Sequence, residues 1–309
     1  NTENWEMYSL KLDHSWTSNQ ITRVTFWQTD RRRKVISGYP GVLAPDDATL
    51  IDNSNWMISH TSVVSTQVVN EARWSLAPWI PNQTNASLFP EVIASDLLGI
   101  PNLPRDPGVT PRLSIGNTTP VLGNGHRQPF NSTRRNFAFG DSLSWVRGRH
   151  QWKFGSSAVV SFDDTFTFLN RMGTFNFTQR GTTQPDATNA GSLGHGFATF
   201  LLGDVQSASR LIADRADRER VRRFEAYVQD DFKATRKLTL NLGLNYHIPF
   251  PFVDGENQLS AMDPSAPNPG AGGRPGAIVF AGFGQGRTGR RTLTSTYYKA
   301  FAPRFGFAY

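Results

Sequence analysis

Strict alternation of apolar and polar side chains between residues 223 and 250 constrains the fold of this chain more than any other feature of its sequence. A helix repeats every 3.6 residues and cannot sort its side chains in this way, whereas successive residues of a strand point to opposite faces. The apolar positions are Phe224, Ala226, Val228, Leu238, Leu240, Leu242, Leu244, Tyr246 and Ile248. The pattern therefore predicts a β-hairpin with one apolar face, closed by a polar link at 231–237.

The length of the second strand indicates what this apolar face contacts. Strands of soluble proteins usually have about 5–6 residues, whereas a tilted strand needs roughly 9–11 residues to cross a bilayer. The alternation from Leu238 to Ile248 has the longer length, and the side chains between its apolar positions suit the wet interior of a barrel. A membrane-spanning hairpin is favoured, and a half-buried hairpin of a soluble protein remains the alternative.

The composition agrees with short apolar strands that are separated by polar tracts. Charged residues make up 18% of the 309 residues and aromatic residues 12%, while the mean hydropathy is −0.42. No run of 18 apolar residues occurs, so the sequence predicts no transmembrane helix. Strands that alternate between lipid and a wet interior produce this diluted hydrophobicity.

The chain has no cysteine and a net charge of +7. The lack of cysteine excludes a disulfide-stapled module, thiolate metal sites and a cysteine nucleophile. The cations cluster in loops or near predicted strand ends, as at 31–34 and 220–223, and no nucleic-acid-binding motif accompanies them. We therefore expect no nucleic-acid partner, and cationic loops that face an anionic surface such as lipopolysaccharide explain the charge.

Residues that often carry chemistry are not grouped into a site in the sequence. The six histidines are scattered without a pair at metal-ligand spacing, and the acidic pairs lie at predicted strand ends, where solvated turn residues are common. The glycine-rich segment 281–289 lacks the Lys-Ser/Thr and the strand–loop–helix context of a phosphate-binding loop. We expect neither enzyme activity nor a cofactor or metal ion.

Four predicted hairpins alternate with four long excursions. The links within the hairpins are short and polar, at residues 15–20, 61–66, 147–150 and 231–237. The excursions cover residues 31–54, 77–135, 163–222 and 251–298, with a short helix predicted within 91–100 and a short helix or a buried turn at 197–203. Small extra strands are predicted around Phe166, Phe168, Phe175 and Phe177, and a last strand is predicted at 301–309.

This layout predicts the fold class. Loops of such length are uncommon in compact soluble domains, whereas short turns at one end and long loops at the other are typical of transmembrane β-barrels. We predict an all-β, antiparallel, up-and-down segment of a transmembrane β-barrel. It has about nine strands in a partial, open barrel, with short periplasmic turns and long extracellular loops.

Five blocks of sequence resemble the barrel of TonB-dependent outer-membrane receptors, and most of all their Oar-like subtype. The blocks are TQVVNEARW (66–74), DSLSWVRGRHQWKFG (141–155), GFATFLLGDVQSASR (196–210), RFEAYVQDDFKATRKLTLNLGLNY (223–246) and FAPRFGFAY (301–309). The similarity covers nearly the whole chain with its blocks in order. The block YVQDDFK…LTLNLGLNY is specific, whereas the alternation around it is common to barrels.

The resemblance implies a function and a location. Such receptors have a barrel of about 22 strands and an N-terminal plug, and they import a scarce ligand with energy from an inner-membrane complex. We expect residues 1–309 to be a partial barrel domain in the outer membrane of a Gram-negative-type bacterium, in contact with membrane lipid and lipopolysaccharide. The signal peptide, plug and remaining strands are expected to lie outside this sequence, and the energy-coupling complex to act through that N-terminal part. The transported ligand stays open.

The apolar positions of two hairpins are predicted to face lipid. They are Phe137, Phe139, Leu143, Trp152, Phe154, Phe224, Val228, Leu238, Leu240, Leu242, Leu244 and Tyr246. The alternative hypothesis is a soluble or surface-exposed β-sandwich, such as an adhesin, that binds partners through its long loops. The two hypotheses differ in where these side chains point, because a barrel exposes them to lipid and a sandwich buries them between two sheets.

Overall fold

The computed structural model describes residues 2–35, 41–44, 47–84, 91–116, 121–123, 130–167, 170–184, 188, 193–212 and 215–309. Its strands are β1 (Thr2–Thr17), β2 (Gln20–Val35), β3 (Asp47–Ser65), β4 (Val68–Thr84), β5 (Arg112–Ile115), β6 (Phe130–Arg147), β7 (His150–Thr167), β8 (Thr174–Phe177), β9 (Ser207–Ser209), β10 (Arg215–Lys233), β11 (Thr239–Asp254), β12 (Ser260–Asn268), β13 (Arg274–Phe280) and β14 (Phe301–Ala308). Two short α-helices are α1 (Ala94–Leu98) and α2 (Gly196–Leu201).

Within the described residues, nine strands form one antiparallel sheet in the order β1-β2-β3-β4-β6-β7-β10-β11-β14. Two-residue turns join β1 to β2, β3 to β4 and β6 to β7, and a five-residue turn joins β10 to β11. The turn between β6 and β7 contains Gly148 with a φ of 60°, the left-handed conformation that tight hairpin turns require. Long connections join the other ends of the strands. The meander confirms the predicted antiparallel, up-and-down architecture.

The strands run further than the alternation predicts. β2 continues to Val35 and β3 begins at Asp47, so the predicted loop at 31–54 is wrong at both ends. Both ends of the predicted excursions 77–135 and 163–222 and the beginning of 251–298 also belong to strands, as do parts of the predicted links at 15–20, 61–66 and 231–237. These strand ends carry polar residues on both faces, and backbone pairing such as Arg33 with Thr49 extends them. Because backbone hydrogen bonds do not depend on the type of side chain, strand ends that they hold show no alternation of apolar and polar residues in the sequence.

Two of the long connections pack together in a small module. β5 pairs in parallel with β8, and β8 pairs with β9. The buried clusters of the module consist of Ala94, Leu103, Val109 and Met172, and of Leu113, Ile115 and Phe177. Among the buried apolar side chains of the described residues, only Pro81, Ile248 and Val253 belong to the nine-stranded sheet. The sheet therefore has almost no core of its own.

The predicted short elements of the connections are mostly confirmed. α1 lies within 91–100, α2 begins one residue before the predicted segment, and β8 contains Phe175 and Phe177. Phe166 belongs to β7, and Phe168 lies outside the described residues. None of the helices in the described ranges is long and apolar enough to cross a membrane.

A further hairpin, β12–β13, lies outside the nine-stranded sheet, within the predicted excursion 251–298, and was not predicted. Its strands contain Pro264, Pro267 and Pro275, which mark turns in a sequence but are tolerated in strands at sheet edges. Asp263 accepts hydrogen bonds from the Ser265 hydroxyl (2.6 Å) and the Ser265 backbone N–H (2.8 Å). These bonds, the hydroxyl first, lower the pKa of the Asp263 carboxyl group below its usual value.

The nine-stranded sheet is open. In the described part of the chain, β1 pairs with β2 alone and β14 pairs with β11 alone. Each of these strands therefore presents one unpaired edge, at Thr2–Thr17 and at Phe301–Ala308. The predicted partial, open barrel is confirmed.

Candidate functional site

The cross-strand register determines which side chains share a face of the nine-stranded sheet. Residues directly opposite each other in neighbouring strands lie on the same face. One row across five strands consists of Leu143, Phe154, Val228, Leu244 and Pro303, and the next row toward the turns of Trp145, Trp152, Asp230, Leu242 and Phe305. We call the face with these rows the apolar face and the opposite one, which carries Tyr227 and Asn245, the polar face.

The apolar face has the height of a membrane core. On β11 its residues are apolar from Leu240 to Phe250, and ten residues of strand rise roughly 34 Å. At a tilt of roughly 40° this corresponds to roughly 26 Å along the membrane normal, close to the apolar band of about 25 Å that outer-membrane barrels have. Arg222, which lies opposite Phe250, marks the edge of the band toward the long connections.

The residues predicted to face lipid share this face. Eleven of the twelve lie in strands at apolar-face positions, and Leu238 lies one residue before β11. Phe139, Leu242 and Leu244 expose 54%, 41% and 40% of their surface. A sandwich would bury these side chains under a second sheet, so their exposure in the described chain argues against that alternative. Their contact with lipid itself stays a prediction.

Aromatic rings follow one another across and along the apolar face. Trp152 stacks on Phe154, with ring centroids 5.9 Å apart, and Tyr246 stacks on Phe301 at 4.5 Å. Phe26 contacts Trp56 at 4.2 Å between β2 and β3. Such rings provide a large apolar surface, and the tryptophan N–H also suits the boundary between lipid and water.

Within the height of the apolar band, two acidic residues interrupt the apolar face of the described strands, and sequence reasoning missed both as site residues. Asp230 lies in the second row from the turns, and its Oδ2 atom lies 2.6 Å from Nδ1 of His150. Asp141 lies near the middle of the band and accepts hydrogen bonds from Asn70 Nδ2 at 3.0 and 3.1 Å. The available signal was an acidic residue at an apolar position of the alternation. Ionisable groups at membrane depth usually mark functional sites.

The polar face carries small side chains and two shallow recesses. One recess of about 440 Å³ is lined by Lys153, Glu225, Gln229, Asn245 and Arg304, among others. A second, of about 380 Å³, is lined by Glu71, Arg73, Gly140 and Ser142, among others. Tyr227 lines both recesses, and a Cβ at Gly155 would lie only 2.3 Å from its ring. The glycine therefore makes room for the tyrosine that separates the recesses.

Most charges of the polar face are paired with one another. Arg73 donates two hydrogen bonds to Glu71, at 2.7 and 2.8 Å, and Arg23 contacts Asp13 at 2.8 Å. His247 Nδ1 lies 2.9 Å from Glu225. Paired, half-exposed charges beside small residues form a hydrated wall rather than a packed core.

The described residues contain no group of three or more His, Cys, Asp or Glu side chains that is able to hold a metal ion. Three histidines of the nine-stranded sheet instead take single hydrogen-bond partners: His60 with the Thr22 hydroxyl at 2.9 Å, His150 with Asp230 and His247 with Glu225. The arrangement has two chemical capacities: an apolar surface for lipid on one face, and a hydrogen-bonding surface for polar solutes on the other.

A family model described as "Outer membrane beta barrel domain" matches residues 1–309. The chain belongs to this family. Membership agrees with the open meander, the exposed apolar face and the hydrated polar face. Membership of this family places the chain in the outer membrane.

One solved structure with the same fold is that of the outer membrane transporter YddB from Escherichia coli. The two chains are 11% identical with a TM-score of 0.51, and the match covers 79% of this chain and 27% of the transporter chain. The β-barrel domain thus spans about a quarter of the length of that chain. No curated protein matches the sequence.

Proposed function

We propose that the chain forms part of the wall of an outer-membrane transporter that takes up a ligand past the polar face with TonB-coupled energy, as in Oar-like receptors. The observation that carries the proposal is the polar face itself. It is nine strands wide, lined by charged, polar and small side chains, and recessed at Tyr227 on both sides. Only large barrels enclose a wide aqueous or plugged interior, and a ligand pathway needs such a surface.

Two further observations support this assignment. The sheet shares its fold with a quarter of a large outer-membrane transporter, and five sequence blocks resemble TonB-dependent receptors. The proposed role is transport without catalysis, with energy supplied by an inner-membrane complex. Outside the membrane band, the exposed cations at Arg31–Lys34 and at Arg222–Arg223 supply contacts for the phosphates of lipopolysaccharide.

Uptake experiments in the native host test the proposal. Cells that lack the gene for this chain, cells that lack the inner-membrane energising complex and wild-type cells are compared for the solutes they deplete from a complex medium. We expect one solute or solute class to be spared by both mutants. If deletion of the gene spares nothing, or if the spared solute is still consumed without the energising complex, the proposal is wrong.

A pair of variants links uptake to the polar face. Gly243 lines the larger recess, and a Cβ there meets only ordinary contacts at 3.7 Å or more, so Gly243→Trp fills the recess without a backbone clash. Ala226 lies on the apolar face of the neighbouring strand, so Ala226→Trp adds the same bulk toward lipid. At equal surface abundance, we expect uptake to fall in Gly243→Trp and to persist in Ala226→Trp.

A further inference from the structure

The Asp230 carboxylate on the apolar face has an unsatisfied oxygen. Asp230 is only 3% exposed, at a level near the turn end of the band. Its Oδ2 atom contacts His150, whereas its Oδ1 atom is buried and has no hydrogen-bond partner among the described residues. A buried acceptor without a donor is destabilising. A ligand that donates a hydrogen bond to Oδ1 would therefore stabilise this site.

The surrounding side chains hold the carboxylate in place. The His150 ring is stacked between Phe232, at 4.3 Å, and Trp152, at 5.8 Å. Both stacks are close to coplanar, with interplanar angles of 10° and 13°. The imidazole is thereby fixed on Oδ2 and leaves Oδ1 to another partner.

A shallow cavity of about 270 Å³ adjoins this carboxylate on the membrane side. Asp230, Trp152, Val228, Leu242 and Leu244 line it, and Gly243 and Arg304 complete the lining. Its walls are thus mainly apolar and aromatic, with one carboxylate, Asp230, and one cation, Arg304. The face of a tryptophan ring attracts cations, and a buried carboxylate is best matched by a charged N–H donor.

The position of the cavity relative to the membrane indicates which kind of molecule provides this donor. The cavity lies at the turn end of the apolar band, where lipid headgroups meet acyl chains. Arg149 belongs to the neighbouring turn, with its guanidinium 5.8 Å from the Phe232 ring. A ligand that fits has an ammonium group with N–H bonds, a phosphate for Arg149 and an acyl chain for the apolar walls.

We propose that this cavity binds the headgroup of an ethanolamine phospholipid from the leaflet at the turn end of the barrel. The ammonium group donates a hydrogen bond to Asp230 Oδ1 and lies against Trp152, and the phosphate lies near Arg149. The site depends on the membrane placement of the sheet and not on transport, so its test is independent of the proposed function.

A series of lipids tests the proposal on the wild-type chain. Phosphatidylethanolamine and its mono-, di- and trimethylated derivatives are added at equal concentration to the full chain in detergent micelles, and the retained lipid is counted by native mass spectrometry. We expect retention to fall along the series and to be about tenfold lower for the trimethylated (choline) lipid, as the loss of one charge-assisted hydrogen bond implies. Equal retention of all four lipids would overturn the proposal.

Two neighbouring carboxylates provide a matched pair of variants. Asp230→Asn removes the charge of the site, whereas Asp231→Asn removes the adjacent charge on the opposite, polar face. We expect only Asp230→Asn to lose the preference for the ethanolamine lipid over the choline lipid. If both variants keep the preference, or both lose it, the lipid does not bind at Asp230. Should Asp230→Asn fail to fold, the methylation series still decides, because it needs no variant.

Discussion

The depth of a residue on the apolar face determines how much a charge there costs. Leu244 lies near the middle of the band, which runs from Leu240 to Phe250, and it is 40% exposed. We expect Leu244→Arg to lower the free energy of unfolding by about 2–4 kcal/mol and Leu240→Arg, at the turn end, by about 0–1 kcal/mol. Urea titrations of the chain folded into phosphatidylcholine vesicles measure both values.

The polar face supplies the control for this comparison. Asn241 lies between the two leucines in sequence, points to the opposite face and is exposed, so Asn241→Arg is expected to leave the stability unchanged. Equal losses at residues 241 and 244 would show that the apolar face does not contact lipid. Equal losses at 240 and 244 would contradict the height assigned to the band.

Asp141 gives a second prediction at the residue scale. Its carboxylate lies on the apolar face near mid-band, and Asn70 Nδ2 is its hydrogen-bond donor. Removal of one partner leaves the other unsatisfied, whereas removal of both is nearly neutral. We expect Asn70→Leu to destabilise the folded chain by about 1–3 kcal/mol, and the double variant Asn70→Leu/Asp141→Leu to recover most of the loss. Additive losses in the same urea titrations would disprove the coupling.

At the scale of whole elements, the sequence predicted those parts of the fold in which each strand has one apolar and one polar face. The hairpin of β10 and β11 follows from alternation alone, because an apolar face forces a period of two on Phe224–Ile248. The outer ends of β2 and β3 were missed because their pairs, such as Arg33 with Thr49, are held by backbone bonds that any residue forms. β12 and β13 were missed because proline and glycine outweigh strand signals in a sequence.

The candidate site, too, was predicted only in part from the sequence. The alternation in the sequence was enough to assign Phe137, Phe154 and Leu242 to the apolar face. The acidic residue Asp230 broke the apolar pattern, but its partner His150 comes from a strand end 80 residues away in sequence. Only the register of β7 against β10 brings this pair together. Similarly, the recesses beside Tyr227 depend on the three-dimensional arrangement of seven strands, which alternation does not encode.

The hairpin of β12 and β13 leads to a prediction on pH. Hydrogen bonds from Ser265 lower the pKa of Asp263 below its usual value of 3.8. A depressed acidic pKa stabilises the folded form above the unfolded pKa, and this contribution is lost as the pH falls through the folded pKa. We expect the Ser265 and Ala266 amides, which both donate to Asp263, to stay protected from hydrogen exchange at pH 5. Their protection should fall below pH of about 3.8.

The variant Asp263→Asn is the control for this transition. An amide oxygen still accepts the two backbone hydrogen bonds but does not titrate. Protection in Asp263→Asn should therefore not depend on pH over the same interval, apart from the intrinsic exchange rate. A wild-type hairpin whose protection does not change with acid would show that the Asp263 bonds contribute nothing to its stability.

For the whole molecule, the number of strands in the sheet restricts how it is able to close. Within the described residues the nine strands alternate in direction, so β1 and β14 run the same way. Direct pairing of these two edges would be parallel, whereas bacterial single-chain barrels are antiparallel with even strand numbers. Antiparallel closure therefore needs an odd number of further strands.

This parity leads to the last prediction, that the 309-residue chain by itself stays open and associates through its edges. Unpaired edges are templates for pairing with other molecules, and the apolar face adds a second cause of association in water. The chain has no native cysteine, so Leu10→Cys on β1 and Phe305→Cys on β14 form a clean reporter pair. A disulfide requires Cα atoms within about 7 Å. We expect oxidation in detergent to yield cross-linked dimers and larger species, with each single variant limited to dimers. An intramolecular disulfide in a monomer would mean that β1 and β14 meet within one molecule, and the open sheet would then be wrong.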